Sequence, residues 1–183
     1  MRSRVPVFLD RDGVINENRR DYVRSLEQWV PIPGAFQAMA SLCAAGHPLV
    51  VVTNQSGIAR GYIAESELRR IHSAMEEMLL GAGGSFASIR YCPHGPWDGC
   101  GCRKPETGMI RDARRELGLP GTGGWIVGDA DSDMEMGRRA GLRTVLVLTG
   151  RGRAQLELIR ENRSPEPDHV VEDLKAAARV ILA

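Results

Sequence analysis

Apolar positions along this chain follow two rhythms that alternate. Short, nearly unbroken apolar runs fall at residues 5–10, 49–52, 86–91, 125–127 and 144–148. Runs of that length predict strands, and continuous apolarity predicts cover on both faces. Between them, apolar residues recur at helical spacing. Ala35, Ala38, Met39 and Leu42 form one stripe, stopped by Gly46. Residues 28–33 read as an irregular approach to it. Leu68, Ile71, Met75, Met78 and Leu79 form a second, Met-bearing stripe that reads as core. Met109, Ile110, Ala113 and Leu117 form a third, stopped by Gly118. A short helix ends near Ala140 before Gly141, and another covers 154–160. An edge strand at 169–171 precedes a last helix over 174–182. Strands and helices in alternation predict an α/β fold, with a mainly parallel sheet between two helical layers.

Composition narrows this picture. The 183 residues are 43% hydrophobic and 26% charged, which predicts one soluble domain over residues 1–183. Basic and acidic residues number 24 and 23, for a net charge of +1, so no nucleic-acid partner is expected. No run reaches the roughly 18 apolar residues of a membrane helix, so no membrane partner is expected. Met1-Arg-Ser-Arg leads into a strand and not into a signal h-region. The expectation is a cytoplasmic monomer.

Polar clusters follow the predicted strands, where ligands bind in parallel α/β sheets. The first strand ends in Asp10-Arg11-Asp12-Gly13. Side chains two apart on a strand share a side, so the two carboxylates would sit together. Like charges that close suit unlike roles, one ionised on a metal and one able to hold a proton. Alternatively the stretch is a solvated acidic turn. After the second strand come Thr53-Asn54-Gln55-Ser56-Gly57, whose hydroxyls and amides can donate to phosphate or merely cap a helix. After the fourth come Gly128-Asp129-Ala130-Asp131-Ser132-Asp133. Asp129 reads as a direct ligand for Mg²⁺, with Asp133 one helical turn on and behind it. Asp131 reads as a helix-start acid at the positive end of the dipole.

The third strand leads into a loop at 92–102 that holds Cys92, His94, Cys100 and Cys102. Four such ligands can enclose one tetrahedral Zn²⁺ and leave no open position, so the zinc would be structural. The alternative, a disulfide, fits a cytosolic chain poorly. Arg103-Lys104 follow at once. The zinc would aim both cations, Lys104 as a point charge and Arg103 as a planar fork. Cys43 reads as core. His47, His72 and His169 read as surface or satisfied histidines.

In this order, Asp10-x-Asp12-Gly-Val, Thr53-Asn-Gln, Lys104-Pro and Gly128-Asp129-x-x-x-Asp133 resemble the haloacid dehalogenase (HAD) superfamily of phosphatases. The zinc loop resembles the branch that holds the heptose bisphosphate and histidinol-phosphate phosphatases. Residues 10–16, 51–61 and Thr149-Gly150 are most similar to the heptose side of that branch.

The resemblance implies a three-layer, Rossmann-like domain with Mg²⁺ as catalytic cofactor. Asp10 would be the nucleophile and Asp12 the general acid and base. Thr53 and Lys104 would hold the transferring phosphoryl group. Asp10, the Asp12 carbonyl and Asp129 would bind Mg²⁺. Substrate contacts would come from Arg19, Arg20, Asp21, Tyr22, Asn54, Gln55, Ser56 and Arg103. The implied substrate is a small phosphorylated sugar, a heptose bisphosphate on the way to lipopolysaccharide core. The alternatives are histidinol phosphate and a non-catalytic, zinc-stabilised binding module.

Two departures stand out. Ala130 occupies a position that is often Lys or Arg in the family, and the segment 17–21 is one residue longer than in the heptose enzymes. About forty residues separate the first two strands, which leaves no room for a cap domain. Specificity is therefore expected from residues 17–22, Arg60 and the zinc loop. An arginine-rich outer site, built from Arg103 with Arg19, Arg20 and Arg60, would suit a second phosphate.

Overall fold

The computed structural model describes residues 5–162 and 164–183. The lead-in Met1 to Arg4 lies outside the described residues. Strands β1 (Val7–Leu9), β2 (Leu49–Asn54), β3 (Phe86–Cys92), β4 (Trp125–Gly128), β5 (Arg143–Val147) and β6 (His169–Val171) alternate with helices. These are α1 (Ala35–Ala44), α2 (Glu65–Gly81), α3 (Gly108–Leu117), α4 (Asp131–Arg139), α5 (Gly152–Glu161) and α6 (Leu174–Leu182). A short 3-10 helix, Leu26–Gln28, ends where the irregular approach to α1 begins.

The six strands form one parallel sheet in the order β3-β2-β1-β4-β5-β6. Leu9 is in register with Val51 on one side and Val127 on the other. The order reverses at β1, so a crevice opens beyond the carboxyl ends of β1, β2 and β4.

The continuous apolar runs have a simple cause. Val7, Leu9, Val51 and Val127 pack on one face with residues of α1, α2 and α6. Phe8, Val50, Val52 and Ile126 face the other way, toward α3 and α4. Each residue of β1 is fully buried, because both faces are covered. In α1, Met39 and Leu42 are equally buried, and truncating Leu42 to Ala would cost about 2–5 kcal/mol.

β1 is shorter than the predicted strand and stops at Leu9, so strand alternation does not carry Asp10 and Asp12. A turn takes over at Asp12. Its geometry depends on Gly13 at φ +87°, where a Cβ would come within 2.1 Å of Asp129 Oδ2. Between β1 and α1 the chain holds this turn, the Asp12–Asn16 and Asn16–Pro31 bridges and the 3-10 helix. The cysteine loop joins β3 to α3. Among the described residues, neither connection carries a further sheet or helical layer over the crevice.

Candidate active site

Four connections meet at the carboxyl end of the sheet. Asp10, one residue past β1, is anchored by its backbone N–H on Val127 O at 2.9 Å. Its Oδ1 accepts from the Arg11 backbone N–H at 2.7 Å and pairs with Lys104 Nζ at 2.8 Å. Lys104 comes from the segment after the cysteine loop, yet it is buried beneath the crevice. Its Nζ also meets Asp133 Oδ1 at 2.7 Å and donates to Val52 O at 3.2 Å. Burial lowers the Lys104 pKa, but Asp10 and Asp133 outweigh that and raise it, so the side chain stays a cation.

Asp10, Asp129 and Asp133 offer carboxylate oxygens within 4.8 Å of one another, all buried. This oxygen-only donor set fits Mg²⁺. Burial and the neighbouring Asp10 push the Asp129 carboxyl up, against the pull of Arg151. Burial pushes Asp133 up to about 7 despite Lys104, with Asp10 and Asp129 adding to the rise. A divalent cation would relieve this crowding of like charge. Asp133 also accepts from the Ala130 backbone N–H at 3.2 Å, so it braces the turn that presents Asp129.

Asp12 is placed differently. Its carboxylate faces Arg11, Asn16 and Gln55, not the other acids. Asn16 Nδ2 donates to Oδ1 at 2.8 Å and Gln55 Nε2 to Oδ2 at 3.0 Å. Burial raises the Asp12 pKa, but the Arg11 charge and these hydrogen bonds outweigh it and hold it below the usual carboxylate range. The carboxyls raised by their surroundings are Asp129 and Asp133, while that of Asp12 is held low.

A cavity of about 460 Å³ opens over this floor. Asp10, Asp12, Thr53, Asn54, Ser56 and Lys104 line it, with Arg19, Arg20, Tyr22 and Arg103 around the mouth. Tyr22 is held at φ +69° and its hydroxyl lies 3.3 Å from Ser56 Oγ. A non-glycine residue in that region is strained, and such strain clusters at functional sites.

Other predicted contacts fall outside the cavity. Gln55 is consumed behind it, donating to Asp12 and to Thr53 Oγ1 and accepting from Arg11. Asp21 is exposed and pairs with Arg19 at 3.2 Å. Arg60 does not line the cavity either; its guanidinium stacks on Trp97 at 4.7 Å. Asn54 reaches the cavity but also clamps the Lys104 backbone, accepting from its N–H at 3.0 Å and donating to its carbonyl at 3.3 Å. Asn18, Ser132 and Arg151 line the cavity without having been singled out by sequence. Only the Thr149-Gly150 match pointed toward Arg151.

The cysteine loop brings its four candidates together. Cys102 Sγ lies 3.2 Å from Cys92 Sγ and 3.5 Å from Cys100 Sγ. His94 Nδ1 lies 3.3 Å from Cys102 Sγ and 3.6 Å from Cys92 Sγ. No disulfide joins them. Such a cluster fits one structural zinc. Arg103 leaves it with Nη1 donating to His94 O at 3.3 Å.

Of the remaining histidines, His47 is satisfied by Val5 O at 2.9 Å. His72 is neither exposed nor satisfied. It is buried, packs 5.7 Å from the Tyr91 ring, and its Nε2 has no partner among the described residues. Cys43 is half-buried against the core.

Comparison with known proteins agrees with this geometry. A HAD-hydrolase-like family model matches residues 101–177. The chain is 43% identical over 182 residues to the D-glycero-beta-D-manno-heptose-1,7-bisphosphate 7-phosphatase of Pseudomonas aeruginosa, spanning 98% of this chain and 99% of that protein. The crystal structure of D,D-heptose 1,7-bisphosphate phosphatase from B. bronchiseptica, complexed with magnesium and phosphate, superposes with a TM-score of 0.90. It shares 41% identity over 97% of this chain and 98% of that one. The D,D-heptose 1,7-bisphosphate phosphatase from Burkholderia thailandensis matches at a TM-score of 0.73 and 31% identity, over 98% and 99% of the two chains. With likeness of this degree over nearly the whole of both chains, this chain belongs to the D-glycero-D-manno-heptose-1,7-bisphosphate 7-phosphatase family of HAD-like hydrolases.

Proposed function

We propose that this chain is a Mg²⁺-dependent phosphomonoester hydrolase that removes the 7-phosphate of D-glycero-D-manno-heptose 1,7-bisphosphate. The observation that carries the reading is the cavity itself. A carboxylate and a buried lysine, 2.8 Å apart, form its floor, and arginines ring its mouth. A substrate with one phosphate to cleave and another to be recognised suits that division.

In this reading Asp10 attacks phosphorus and forms an aspartyl-phosphate. Lys104 and Thr53 hold the phosphoryl oxygens as charge moves onto them. The negative phosphate beside Asp12 raises its proton affinity, so Asp12 takes up a proton as substrate binds and gives it to the departing sugar oxygen; the carboxylate left behind then takes one from the water that hydrolyses the intermediate. The hydrogen bonds around Asp12 favour its ionised form and so favour the second step. Asp10, Asp129 and the Asp12 carbonyl would hold Mg²⁺, with Asp133 bracing Asp129. When bound, the ion neutralises charge between the nucleophile and the phosphate. Arg19, Arg20 and Arg103 face the second phosphate, and Tyr22 and Ser56 the sugar. A zinc held by Cys92, His94, Cys100 and Cys102 would order the loop and so help aim Arg103 and Lys104.

The domain is taken as a single unit, residues 1–183, acting as a cytoplasmic monomer in the supply of lipopolysaccharide core precursors. No helix is long and apolar enough to cross a membrane among the described residues. The deciding experiment is Mg²⁺-dependent phosphate release, with kcat/KM measured for the heptose bisphosphate and for histidinol phosphate. Preference for histidinol phosphate, which offers an amine and an imidazole in place of the second phosphate, would overturn the assignment. No phosphate release from either would leave a binding module.

A further inference from the structure

Among the described residues, two cations pair with the Asp10–Asp129–Asp133 carboxylates, and only one is built to leave them. Lys104 is buried, with its Nζ held by Asp10, Asp133 and the Val52 carbonyl. Arg151 has a side chain that is 54% exposed. Its guanidinium is held to this cluster by a single oxygen, Asp129 Oδ1, at 3.2 Å from Nη2. Separately, its backbone N–H donates to Asp129 Oδ2 at 2.8 Å. The side chain can therefore swing away while the backbone keeps Asp129 in place.

The segment that carries Arg151 is itself fixed. Thr149 Oγ1 donates to Gly13 O at 2.7 Å. Gly150, at φ +59°, sits so close that a Cβ there would reach within 2.4 Å of Asp129 Oδ2. Asp129 Oδ2 is thus enclosed by the Gly13 and Gly150 turns and the Arg151 amide. Oδ1 is the oxygen left for a further cation, so a divalent ion bound there would sit beside the guanidinium. Arg151 also lines the same cavity as Arg19, Arg20 and Arg103.

We infer that Arg151 is a binding residue for the second phosphate of the substrate, and that its guanidinium and a divalent ion exclude one another at Asp129. This rests on the bisphosphate reading above. An ion between Asp10 and Asp129 draws charge from the acceptor oxygen, weakening its hydrogen bond to Arg151, and sets a double positive charge beside the guanidinium. Repulsion turns the exposed side chain into the cavity. There the planar fork can take two oxygens of a phosphate. Coupling of this kind is reciprocal: a bisphosphate that draws Arg151 from Asp129 strengthens metal binding, and a monophosphate that lacks the second phosphate does not.

The test separates the two halves. Metal-depleted protein is titrated calorimetrically with Mg²⁺, without sugar. Arg151→Gln should bind Mg²⁺ at least about fivefold more tightly than wild type, a coupling of ordinary size. KM is then compared for heptose 1,7-bisphosphate and heptose 7-phosphate. The variant should raise the bisphosphate KM about ten- to a hundredfold and leave the monophosphate KM within about threefold. Arg151→Lys should recover part of the bisphosphate KM. Unchanged or weaker Mg²⁺ binding in Arg151→Gln would overturn the exclusion. An equal KM change for both sugars would overturn the second-phosphate role. Failure of wild type to hydrolyse the bisphosphate would instead strike the proposed function, and the sugar-free titration would still decide the exclusion.

Discussion

Arg11 lies forked onto Asp12. Its Nε and Nη2 reach Asp12 Oδ1 at 3.1 and 2.8 Å, and Nη2 also reaches Oδ2 at 2.8 Å. The arginine has no exposed surface, while the Asp12 side chain keeps 22% of its own and looks into the cavity. A rigid fork beneath a carboxylate fixes which way that carboxylate points.

Arg11→Lys keeps the charge but cannot reproduce the fork. If Arg11 aims Asp12, sugar-phosphate turnover falls by about ten- to a hundredfold, part of the 10²–10⁴ that proton transfer supplies. The first turnover of p-nitrophenyl phosphate, whose leaving group needs no proton, should stay near wild type in a rapid-mixing experiment. Equal losses on both substrates would show that Arg11 acts elsewhere.

Asp10→Asn should abolish turnover while the protein stays folded, because a neutral amide is a poor nucleophile. Asp12→Asn should be impaired by about 10²–10⁴-fold. Phosphate-release assays beside circular dichroism read both variants. Near-normal activity of Asp10→Asn would end the covalent mechanism.

Purified protein should carry about one zinc per chain by elemental analysis. Cys100→Ser removes one of four clustered ligands, so zinc should be lost. Arg103 and Lys104 follow Cys102 directly, so kcat/KM should fall with it. Zinc loss with full activity would show that the loop does not position these cations.

His72 gives a pH signature. Burial lowers its pKa from 6.5 to about 4, and the Arg11 charge adds to that. Between these values the unfolded chain binds a proton that the folded chain refuses. Stability from this residue is therefore complete above pH 6.5 and is lost as pH falls, by about 2 kcal/mol at pH 5. Raised carboxyls such as Asp133 act with the opposite sign over part of this range, so the comparison must be with His72→Phe. That variant should lose less stability than wild type between pH 7 and pH 5 in thermal melts. Parallel pH profiles would exclude the assignment.

Much of this molecule was legible along the chain. Strand and helix positions follow local spacing, and α6 falls where the 174–182 stripe placed it. Gly46, Gly118 and Gly141 mark the ends of α1, α3 and α4. The zinc cluster was readable because all four ligands lie within eleven residues of one another, so one loop can bring them together. The convergence of Asp10, Thr53, Lys104 and Asp129 was readable because parallel strands all end on the same side.

What the sequence by itself determined is therefore the α/β architecture, the strand ends that bear chemistry, and the kinds of group they bear. What only the tertiary structure decided is which partner each group faces. β1 stops at Leu9, and the turn at Gly13 sends Asp12 to Arg11, Asn16 and Gln55 instead of to Asp10. Gln55 and Arg60 read as substrate contacts from their loop, yet one is spent on Asp12 and the other on Trp97. Arg151 stood in no motif, yet it meets Asp129 from 22 residues away. Local periodicity reports which face a residue occupies. Charge pairing depends on how strands register and turns bend between distant segments, and no local pattern encodes that.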